Sequence, residues 1–214
     1  MPAIYLLRHG QASFGTDDYD VLTELGRRQA EIAGHELLRR SVRAPVFMSG
    51  NLRRQIDTGT IAAEVLSVDP PVIDSRFDEF DAHAAVNEHL GDSQATDGMS
   101  SSEFQQHLDA VMTSWISSGN EQWQAFSQRA YDALTELAES LPSGSDAVVA
   151  TSAGITAVLA GRLLGANSQG VIAMNRVSVN ASITSIVAGA RGLSLVSFND
   201  HAHVLGDRTL FTNR

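Results

Sequence analysis

Three consecutive residues near the start of the chain combine side chains that could bind an anion and react with it. Arg8, His9 and Gly10 follow directly after the apolar residues 4–7. Arginine offers a fixed fork of donors to phosphate or carboxylate, and an uncharged histidine can act as a nucleophile or base near neutral pH. The alternative is an ordinary strand end whose polar residues face water. That alternative is the commoner one for an isolated triplet, because short motifs often match by chance.

A buried strand is the element that must position these residues. Residues 4–7 include β-branched and aromatic side chains that suit such a strand, and open α/β sheets bind ligands at the carboxyl ends of their strands. Gly10 permits a tight turn and a close approach of the backbone to a ligand. A loop is predicted over residues 11–20, and Gln11 and Ser13 are candidate polar contacts within it.

The same layout of strand, small polar turn and helix occurs twice more. Residues 46–48 run into Ser49 and then into a helical pattern that contains Arg54. Residues 147–150 run into a turn at 151–154 in the same way. A helix that begins at such a turn directs backbone N–H groups and the positive end of its dipole at a bound anion. Arg54 could add a bidentate donor there, and an exposed helix charge is the alternative for this residue.

Residues 77–83 alternate aromatic and acidic side chains. Such alternation predicts an amphipathic strand at the edge of a sheet. The segment could instead hold a carboxylate beside an apolar wall, which would raise the pKa of that carboxylate and make it a usable acid.

Length and composition favour one domain of the α/β class. The chain has 214 residues, of which 43% are hydrophobic, which is enough for a substantial core. The order of strands and helices predicts a three-layer αβα fold with a mostly parallel central sheet. We interpret residues 1–214 as a single domain in which a small helical insertion at about 84–122 caps the site. Helices are predicted over about 102–117 and 121–140, and Thr23 is the predicted N-cap of the first helix.

Charge and composition narrow the range of partners. The net charge of −10 argues against nucleic acid and anionic membranes, but a cluster of arginines could still bind a small anion. No segment approaches the roughly 20 apolar residues of a membrane helix, and the first residues are too short for a signal peptide, so a cytoplasmic protein is expected. The chain has no cysteine, which excludes disulfides and thiolate metal sites. His201 and His203 form only a weak metal signal, and no metal or cofactor is predicted.

A set of motifs in fixed order runs along nearly the whole chain. Its members are Leu7-Arg8-His9-Gly10, residues 22–30, Ser49 with Leu52, Arg54 and Thr58, Phe77 with Glu79, residues 123–126 with Arg129, Asn180 within 177–183, and Asn199-Asp200 with His203. This ordered set resembles the histidine phosphatase superfamily, also called the phosphoglycerate-mutase-like family. The set is far more specific than any one of its parts. It favours a functional site at Arg8, His9 and Arg54 over an ordinary strand end and an exposed helix charge.

The resemblance implies a phosphoric monoester hydrolase that acts through a phosphohistidine on a small phosphorylated substrate. It implies that His9 attacks phosphorus and that Glu79 protonates the leaving oxygen and then activates water. Arg8 and Arg54 would neutralise the transferring phosphoryl group and would also hold inorganic phosphate. Two guanidinium groups would make a metal ion unnecessary.

The turn at 151–154 departs from the family pattern. Ser152 occupies the position of a second histidine that the family normally carries, so one potential cation is lost. Ser152 could still donate its hydroxyl proton to phosphate, and the backbone N–H of Ala153 could add a second donor. His83, four residues after Glu79, is the candidate that could supply the missing charge.

Two functions therefore stay open on the sequence. The first is a phosphatase whose activity Ser152 attenuates. The second is a catalytically weak or inactive protein that binds a phosphorylated ligand. A phosphoglycerate-type mutase is a weaker third, because a mutase needs a stable phosphoenzyme that the lost histidine should weaken. The sequence does not name the ester.

Overall fold

A mixed sheet of six strands forms the centre of the molecule. The computed structural model describes residues 1–13 and 20–213, and within them seven α-helices surround this sheet. The strands are β1 (Ala3–Arg8), β2 (Val46–Ser49), β3 (Val72–Ile73), β4 (Ala147–Thr151), β5 (Ile183–Gly189) and β6 (Gly192–Asp200). The helices are α1 (Glu24–Arg39), α2 (Arg53–Leu66), α3 (Ala82–Leu90), α4 (Ser101–Ser118), α5 (Glu121–Ser140), α6 (Ala153–Leu164) and α7 (Ser168–Val177). Of the loop predicted over 11–20, residues 14–19 lie outside the described residues.

The order of the strands brings several strand ends to one edge of the sheet. The order is β3-β2-β4-β1-β5-β6, in which the first four strands are parallel. Strand β5 is antiparallel to β1, and β6 is antiparallel to β5. The predicted mostly parallel α/β sheet is therefore confirmed. Parallel strands end at the same edge, and the pairing of Arg8 with Thr151 puts the turns after β1 and β4 side by side. The amino end of β5 lies at this edge too, because β5 runs the opposite way.

Both faces of the sheet are covered by helices. Leu7 belongs to the same buried cluster as Leu37 of α1 and Ala62 of α2. Ile4 and Leu6 belong instead to the larger cluster that α3 to α7 cover. Successive residues of a strand point to opposite faces, so an unbroken apolar run suits a strand that is buried on both sides. The predicted three-layer αβα arrangement follows from this division.

Helix starts follow local capping chemistry. Thr23 accepts a hydrogen bond from the backbone N–H of Gly26 and caps α1, as predicted. Helix α5 has the predicted bounds, and α4 is longer by one residue at each end than the predicted 102–117. In the described part of the chain, no helix is both long and apolar enough to cross a membrane.

Two helices, α3 and α7, are not predicted from the sequence. The buried side chains are Ala85 and Val86 in α3, and Val171 and Ile172 in α7. With so few buried apolar residues, neither helix shows the repeated spacing from which helices are predicted. Helix α4 packs on both of them, so α3, α4 and α7 are held in place by one another.

The edge strand predicted over residues 77–83 is wrong. A short 3₁₀ helix spans Ser75–Phe77, and α3 begins at Ala82 after the N-cap Asp81. Phe77 is fully buried, and Phe80 packs edge-on against aromatic rings of the core. The two inward aromatic residues are thus three positions apart, a spacing that the two-residue period of a strand does not produce.

Candidate active site

A cavity of about 190 Å³ opens at the edge where β1 and β4 end. It brings together six residues that the sequence singled out, namely Arg8, His9, Arg54, Glu79, Ser152 and Ala153. The side chains of Arg8, His9 and Arg54 are each more than nine-tenths buried. Their charges and lone pairs therefore act where water screens them little.

His9 is held as a neutral imidazole with one defined tautomer. Its Nδ1–H donates to the carbonyl of Gly10 over 2.7 Å, and Nε2 accepts a hydrogen bond from Nε of Arg54 over 3.3 Å. Burial lowers the pKa of His9 well below 6.5, and the charges of Arg54 and Arg8 lower it further. The Nε2 lone pair is thus available at neutral pH, as a nucleophile requires.

The backbone around His9 is fixed by its neighbours in the sheet. The N–H of His9 donates to the carbonyl of Thr151 over 2.8 Å. The carbonyl of His9 accepts from the side-chain amide of Asn180 and from the N–H of Ala181, both over 3.2 Å. Ala181 has a φ of 57°, in the left-handed region that alanine rarely adopts. Such strain persists only where the surroundings enforce it, and it commonly marks functional sites.

Gly10 makes a close backbone approach, but to another segment of this chain and not to a ligand. A Cβ at Gly10 would lie 2.2 Å from the carbonyl oxygen of Gly26 in α1. The N–H of Gly10 donates to the hydroxyl of Thr58 in α2 over 3.1 Å. The glycine therefore lets the turn after β1 dock between these two helices.

Arg54 is oriented by Asp20, which the sequence reasoning missed as a functional residue. The carboxylate of Asp20 accepts from Nη1 of Arg54 over 2.7 Å and from the backbone N–H of Arg53 over 2.7 Å. It therefore neutralises the amino end of α2 and holds the guanidinium beside His9. The available signal was an acidic residue at the end of a loop that follows a ligand-binding strand.

Arg8 is oriented by backbone carbonyls from two distant segments. Its Nη1 donates to the carbonyl of Ser178, just after α7, and its Nη2 donates to the carbonyl of Asn213 over 3.1 Å. The segment before Asn213 is anchored in turn, because Gln29 donates to the carbonyl of Leu210 over 2.8 Å. These contacts fix the plane of the Arg8 guanidinium at the cavity wall.

Glu79 is a carboxyl group that lines the same cavity as the apolar side chains of Phe80 and Leu108. Its Oε2 accepts from the N–H of Gly154 over 2.7 Å, and its Oε1 accepts from the N–H of Phe80 over 3.1 Å. Burial raises the pKa of Glu79, although these hydrogen bonds and the charge of Arg54 oppose the rise. This is the direction of pKa shift that the sequence suggested for a carboxylate beside an apolar wall.

The amino end of α6 supplies the neutral side of the cavity. Ser152 is the residue before α6, and its hydroxyl oxygen accepts from Nε2 of Gln55 over 2.8 Å. Ala153 begins the helix, where backbone N–H groups have no intrahelical acceptor. This side of the cavity thus offers hydrogen-bond donors and no side-chain charge. The sequence reasoning did not single out Gln55, because no periodic pattern marks a polar residue on the buried face of a helix.

The mouth of the cavity is formed mainly by α4 and α7. Phe104 and Leu108 of α4 give it an apolar wall, and Arg176 of α7 gives it a charged one. Arg176 pairs with Asp109 of α4, whose other oxygen accepts from Gln105 over 2.8 Å. The ion pair therefore ties the two helices together beside the opening.

Three further candidates do not line the cavity. The side-chain oxygen of Gln11 accepts from the hydroxyl of Thr23 over 3.0 Å, and the N–H of Ser13 donates to the carbonyl of Val21 over 2.9 Å. His83 lies on α3 with its ring centroid 4.6 Å from that of Phe104. The structure thus places Phe104, and not His83, among the residues that line the cavity.

The two histidines of the weak metal signal bind backbone carbonyls. Nδ1 of His201 is 2.6 Å from the carbonyl oxygen of Asn199, and Nε2 of His203 is 2.9 Å from that of Ala181. Among residues 1–13 and 20–213, no group of three or more His, Cys, Asp or Glu side chains could hold a metal ion.

The assembled groups have complementary chemistry. An unprotonated imidazole nitrogen accepts a hydrogen bond from the guanidinium of Arg54, and Arg8 lines the same cavity. Glu79 is a carboxyl group with a raised pKa at this cavity. A nucleophile, anion-stabilising cations and an acid are the components of group transfer from an anionic ester.

Comparisons with known proteins identify the family and the fold. The family model of the histidine phosphatase superfamily (branch 1) matches residues 4–201. A mycobacterial glucosyl-3-phosphoglycerate phosphatase, solved in complex with VO3, is 25% identical with a TM-score of 0.67, over 94% of this chain and 100% of that one. YhfR of Bacillus stearothermophilus is 20% identical with a TM-score of 0.70, over 95% and 100%. A phosphoglycerate mutase from Bacillus anthracis is 19% identical with a TM-score of 0.65, over 95% and 95%. No curated protein matches the sequence.

Proposed function

The chain belongs to the histidine phosphatase superfamily (branch 1), and we propose that it is a metal-independent phosphoric monoester hydrolase. The proposed reaction passes through a phosphohistidine on His9 and releases inorganic phosphate. The observation that carries the proposal is the hydrogen-bond chain from Arg54 through His9 to Gly10. It leaves Nε2 unprotonated and directed at a guanidinium that can hold the phosphoryl group.

The first half-reaction transfers the phosphoryl group to His9. The Nε2 lone pair forms a bond to phosphorus as the bond from phosphorus to the leaving oxygen breaks. Glu79 gives its proton to that oxygen, which is why a raised pKa is useful at this position. Nδ1 keeps its proton and its hydrogen bond to Gly10, so the ring need not turn.

The second half-reaction returns the resting protein. Water attacks phosphorus while the ionised Glu79 takes one of its protons, and the bond between phosphorus and Nε2 breaks. The products are inorganic phosphate, a protonated Glu79 and a neutral His9. One carboxyl group thus serves as acid and then as base.

Charge stabilisation comes from two guanidinium groups and a helix start. Arg8 and Arg54 would contact the equatorial oxygens, which carry the charge of the transferring group. The N–H of Ala153 and the positive end of the α6 dipole would add to this from the opposite wall. Two fixed cations can neutralise the phosphoryl oxygens without a metal ion.

The leaving group would lie toward the mouth of the cavity, between the apolar wall of α4 and Arg176 of α7. We propose that residues 1–214 act as one domain and that the segment at about 84–122 caps this mouth. Phosphorylated small molecules are named for two similar structures, a glucosyl-3-phosphoglycerate phosphatase and a phosphoglycerate mutase. A small phosphorylated substrate is accordingly the proposed ligand, and the cytoplasm stays the proposed location.

The alternative function is binding of a phosphorylated ligand with little turnover. The observation that favours it is the neutral side chain at Ser152, because a hydroxyl neutralises less phosphoryl charge than a cation does. His83 lies outside the cavity lining, so His83→Ala is expected to leave phosphate affinity unchanged. A mutase is the least favoured role.

The test is a phosphatase assay in the presence of a chelator on a panel of phosphate monoesters. Wild type is compared with His9→Ala and with His35→Ala, an exposed histidine of α1 that serves as the matched control. We expect turnover in wild type and His35→Ala, background turnover in His9→Ala, and acid-labile phosphate on His9 after a rapid quench. Phosphate binding without turnover on any ester would favour the alternative function.

A further inference from the structure

The side chain of Gln55 is a buried amide whose nitrogen and oxygen both have hydrogen-bond partners. It has no exposed surface, and it lies in the first turn of α2, directly after Arg54. Its Nε2 donates to the hydroxyl oxygen of Ser152 over 2.8 Å and to the carbonyl of Phe77 over 3.3 Å. Its Oε1 accepts from the N–H of Leu52 over 3.4 Å.

These partners fix which end of the amide faces Ser152. If the amide were turned over, Oε1 would face the carbonyl oxygen of Phe77, and the NH₂ group would face the N–H of Leu52. Both contacts would then be repulsive, acceptor to acceptor and donor to donor. The NH₂ group must therefore point at Ser152, whose hydroxyl oxygen acts as the acceptor.

This restricts the direction that the Ser152 proton can take. A hydroxyl has one proton to donate, and the lone pair toward Gln55 is already used. Among residues 1–13 and 20–213, Gln55 is the one hydrogen-bond partner of this hydroxyl, and the side chain is only 1% exposed. Ser152 lines the cavity, so an acceptor for its proton can come from a ligand there.

We propose that Gln55 is a positioning residue that holds the Ser152 hydroxyl as an oriented donor to the phosphoryl group. This inference rests on the proposed function. It describes how a site with serine at position 152 could bind the phosphoryl group. The N–H that Gln55 donates excludes the position of the Ser152 proton that faces the amide, so less rotor freedom is lost when the phosphoryl group arrives. An aligned hydrogen bond to a charged oxygen would partly replace the missing cation.

The proposal also explains why Ser152→His alone should not improve the site. The atom that replaces the hydroxyl oxygen would be a ring carbon, and Nε2 of Gln55 lies 2.8 Å from that position. Contacts between non-bonded carbon atoms are optimal at about 3.5–4.0 Å, so the ring and the amide would collide. We expect Ser152→His to weaken phosphate binding, and Gln55→Ala combined with Ser152→His to bind phosphate more tightly than Ser152→His alone.

The decisive experiment is a double-mutant cycle of Gln55→Met and Ser152→Ala. Inorganic phosphate affinity is measured by calorimetry, and orthovanadate inhibition is measured wherever turnover is detectable. Ser152→Ala is expected to lose roughly tenfold to a hundredfold in affinity, as for a hydrogen bond to a charged group. Gln55→Met is expected to show a smaller but measurable loss, because its Ser152 hydroxyl can still donate without being oriented. In the Ser152→Ala background, Gln55→Met should cause almost no further loss, because there is no hydroxyl left to orient.

If Gln55 had only a structural role, it would act through its hydrogen bond to the carbonyl of Phe77. A matched control distinguishes that role from the orientation of Ser152. Thr151 donates to the same carbonyl of Phe77 over 2.8 Å, so Thr151→Val removes a bond to Phe77 without touching the Ser152 hydroxyl. Thr151→Val should leave phosphate affinity unchanged. Equal losses from Gln55→Met in both backgrounds, or a loss in Thr151→Val as large as in Gln55→Met, would overturn the proposal.

A second variant covers the case in which Gln55→Met does not fold. Gln55→Glu keeps the shape of the side chain, but its carboxylate accepts the Ser152 proton and turns it away from the cavity. It should weaken phosphate at least as much as Ser152→Ala, and unchanged affinity would contradict the proposal. Binding is measured directly, so the two proposals can fail separately. A wild type that binds phosphate but turns over no ester would contradict the proposed hydrolase activity and leave the role of Gln55 testable. A wild type that binds neither phosphate nor vanadate would overturn both.

Discussion

Nε of Arg54 donates a hydrogen bond to Nε2 of His9 over 3.3 Å, so one guanidinium contacts the nitrogen that we propose as the nucleophile. Asp20 holds the other arm of the same guanidinium over 2.7 Å. In the proposed reaction the Nε2 lone pair bonds to phosphorus, and the Nε–H of Arg54 becomes available to a phosphoryl oxygen. One planar side chain can serve both states because its donors are fixed relative to one another.

We expect Arg54→Lys to lose most of the catalytic activity. Lysine has a single point charge and cannot contact Asp20, His9 and a phosphoryl oxygen with a fixed geometry. The expected loss in kcat is on the order of 10²–10³, as for removal of an oxyanion donor. Steady-state kinetics on the best ester of the panel measure it, with Arg53→Lys as the matched control at the neighbouring exposed position. Full activity in Arg54→Lys would exclude the bidentate role.

The pH dependence of the reaction should be set by Glu79 and His9. Glu79 must carry a proton to act as the acid, and its raised pKa keeps that proton to higher pH than an ordinary glutamate would. Activity should fall as the pH rises through that raised pKa. Protonation of His9 sets the acid side, and its lowered pKa moves that limb well below 6.5.

The measurement is kcat/KM against pH for wild type and Glu79→Gln. Asp81→Asn, at the exposed N-cap of α3, is the matched control and should leave the profile unchanged. Glu79→Gln should remove the alkaline limb along with most of the rate. An unchanged alkaline limb in Glu79→Gln would assign it to another group, such as the ester itself, whose second ionisation lies near pH 6.

Gly154→Ala should separate catalysis from phosphate binding. A Cβ at Gly154 would lie 2.2 Å from Oε1 of Glu79, so the carboxyl group must move. We expect kcat to fall by roughly tenfold to a hundredfold, while phosphate affinity changes little, since a small displacement of a reacting group is costly. Gly206→Ala is the control, because nothing lies within 4 Å of a Cβ there. Equal kinetics in both variants would mean that the position of Glu79 is not critical.

Stability at low pH should depend on Glu36 of α1, which does not line the cavity. This carboxylate is 6% exposed, and it accepts from Nε of Arg39 over 2.7 Å and from Nε of Arg40 over 2.8 Å. The hydrogen bond from Arg39 is the largest influence that lowers the pKa of Glu36 from 4.5 to about 2, and Arg40 adds to it. The stabilisation is therefore complete above pH 4.5 and is lost as the pH falls toward 2.

Glu36→Gln should accordingly destabilise the fold by about 2 kcal/mol at pH 7, a value reduced for the solvent screening of the largely exposed Arg39. Urea unfolding at pH 7 and at successively lower pH measures the difference in free energy from wild type. The difference should shrink as the pH drops toward 2. The exposed Glu64→Gln of α2 is the control, and a pH-independent difference for Glu36→Gln would rule out the ion pairs as its cause.

Local pattern was sufficient for the elements that form the framework. The apolar runs before Arg8 and at 147–150 predict β1 and β4, and the amphipathic spacing after Asn120 predicts α5 to the residue. These elements follow from period and capping, which depend only on neighbours in the chain. Local pattern could not predict the short helices α3 and α7 or the segment at 77–83. Each has few buried residues, and tertiary contacts decide which residues those are.

The sequence by itself determined the chemical components of this protein: an arginine and a histidine after one strand, a second arginine after another, and an acid at Glu79. Tertiary structure alone decided their relations. His9 and Arg54 are 45 positions apart, and Gln55 and Ser152 are 97 apart. Such contacts depend on strand order and register, which no local pattern encodes. The same long-range packing leaves His83 against Phe104, outside the lining of the cavity, and places the side-chain amide of Gln55 within hydrogen-bond distance of the Ser152 hydroxyl.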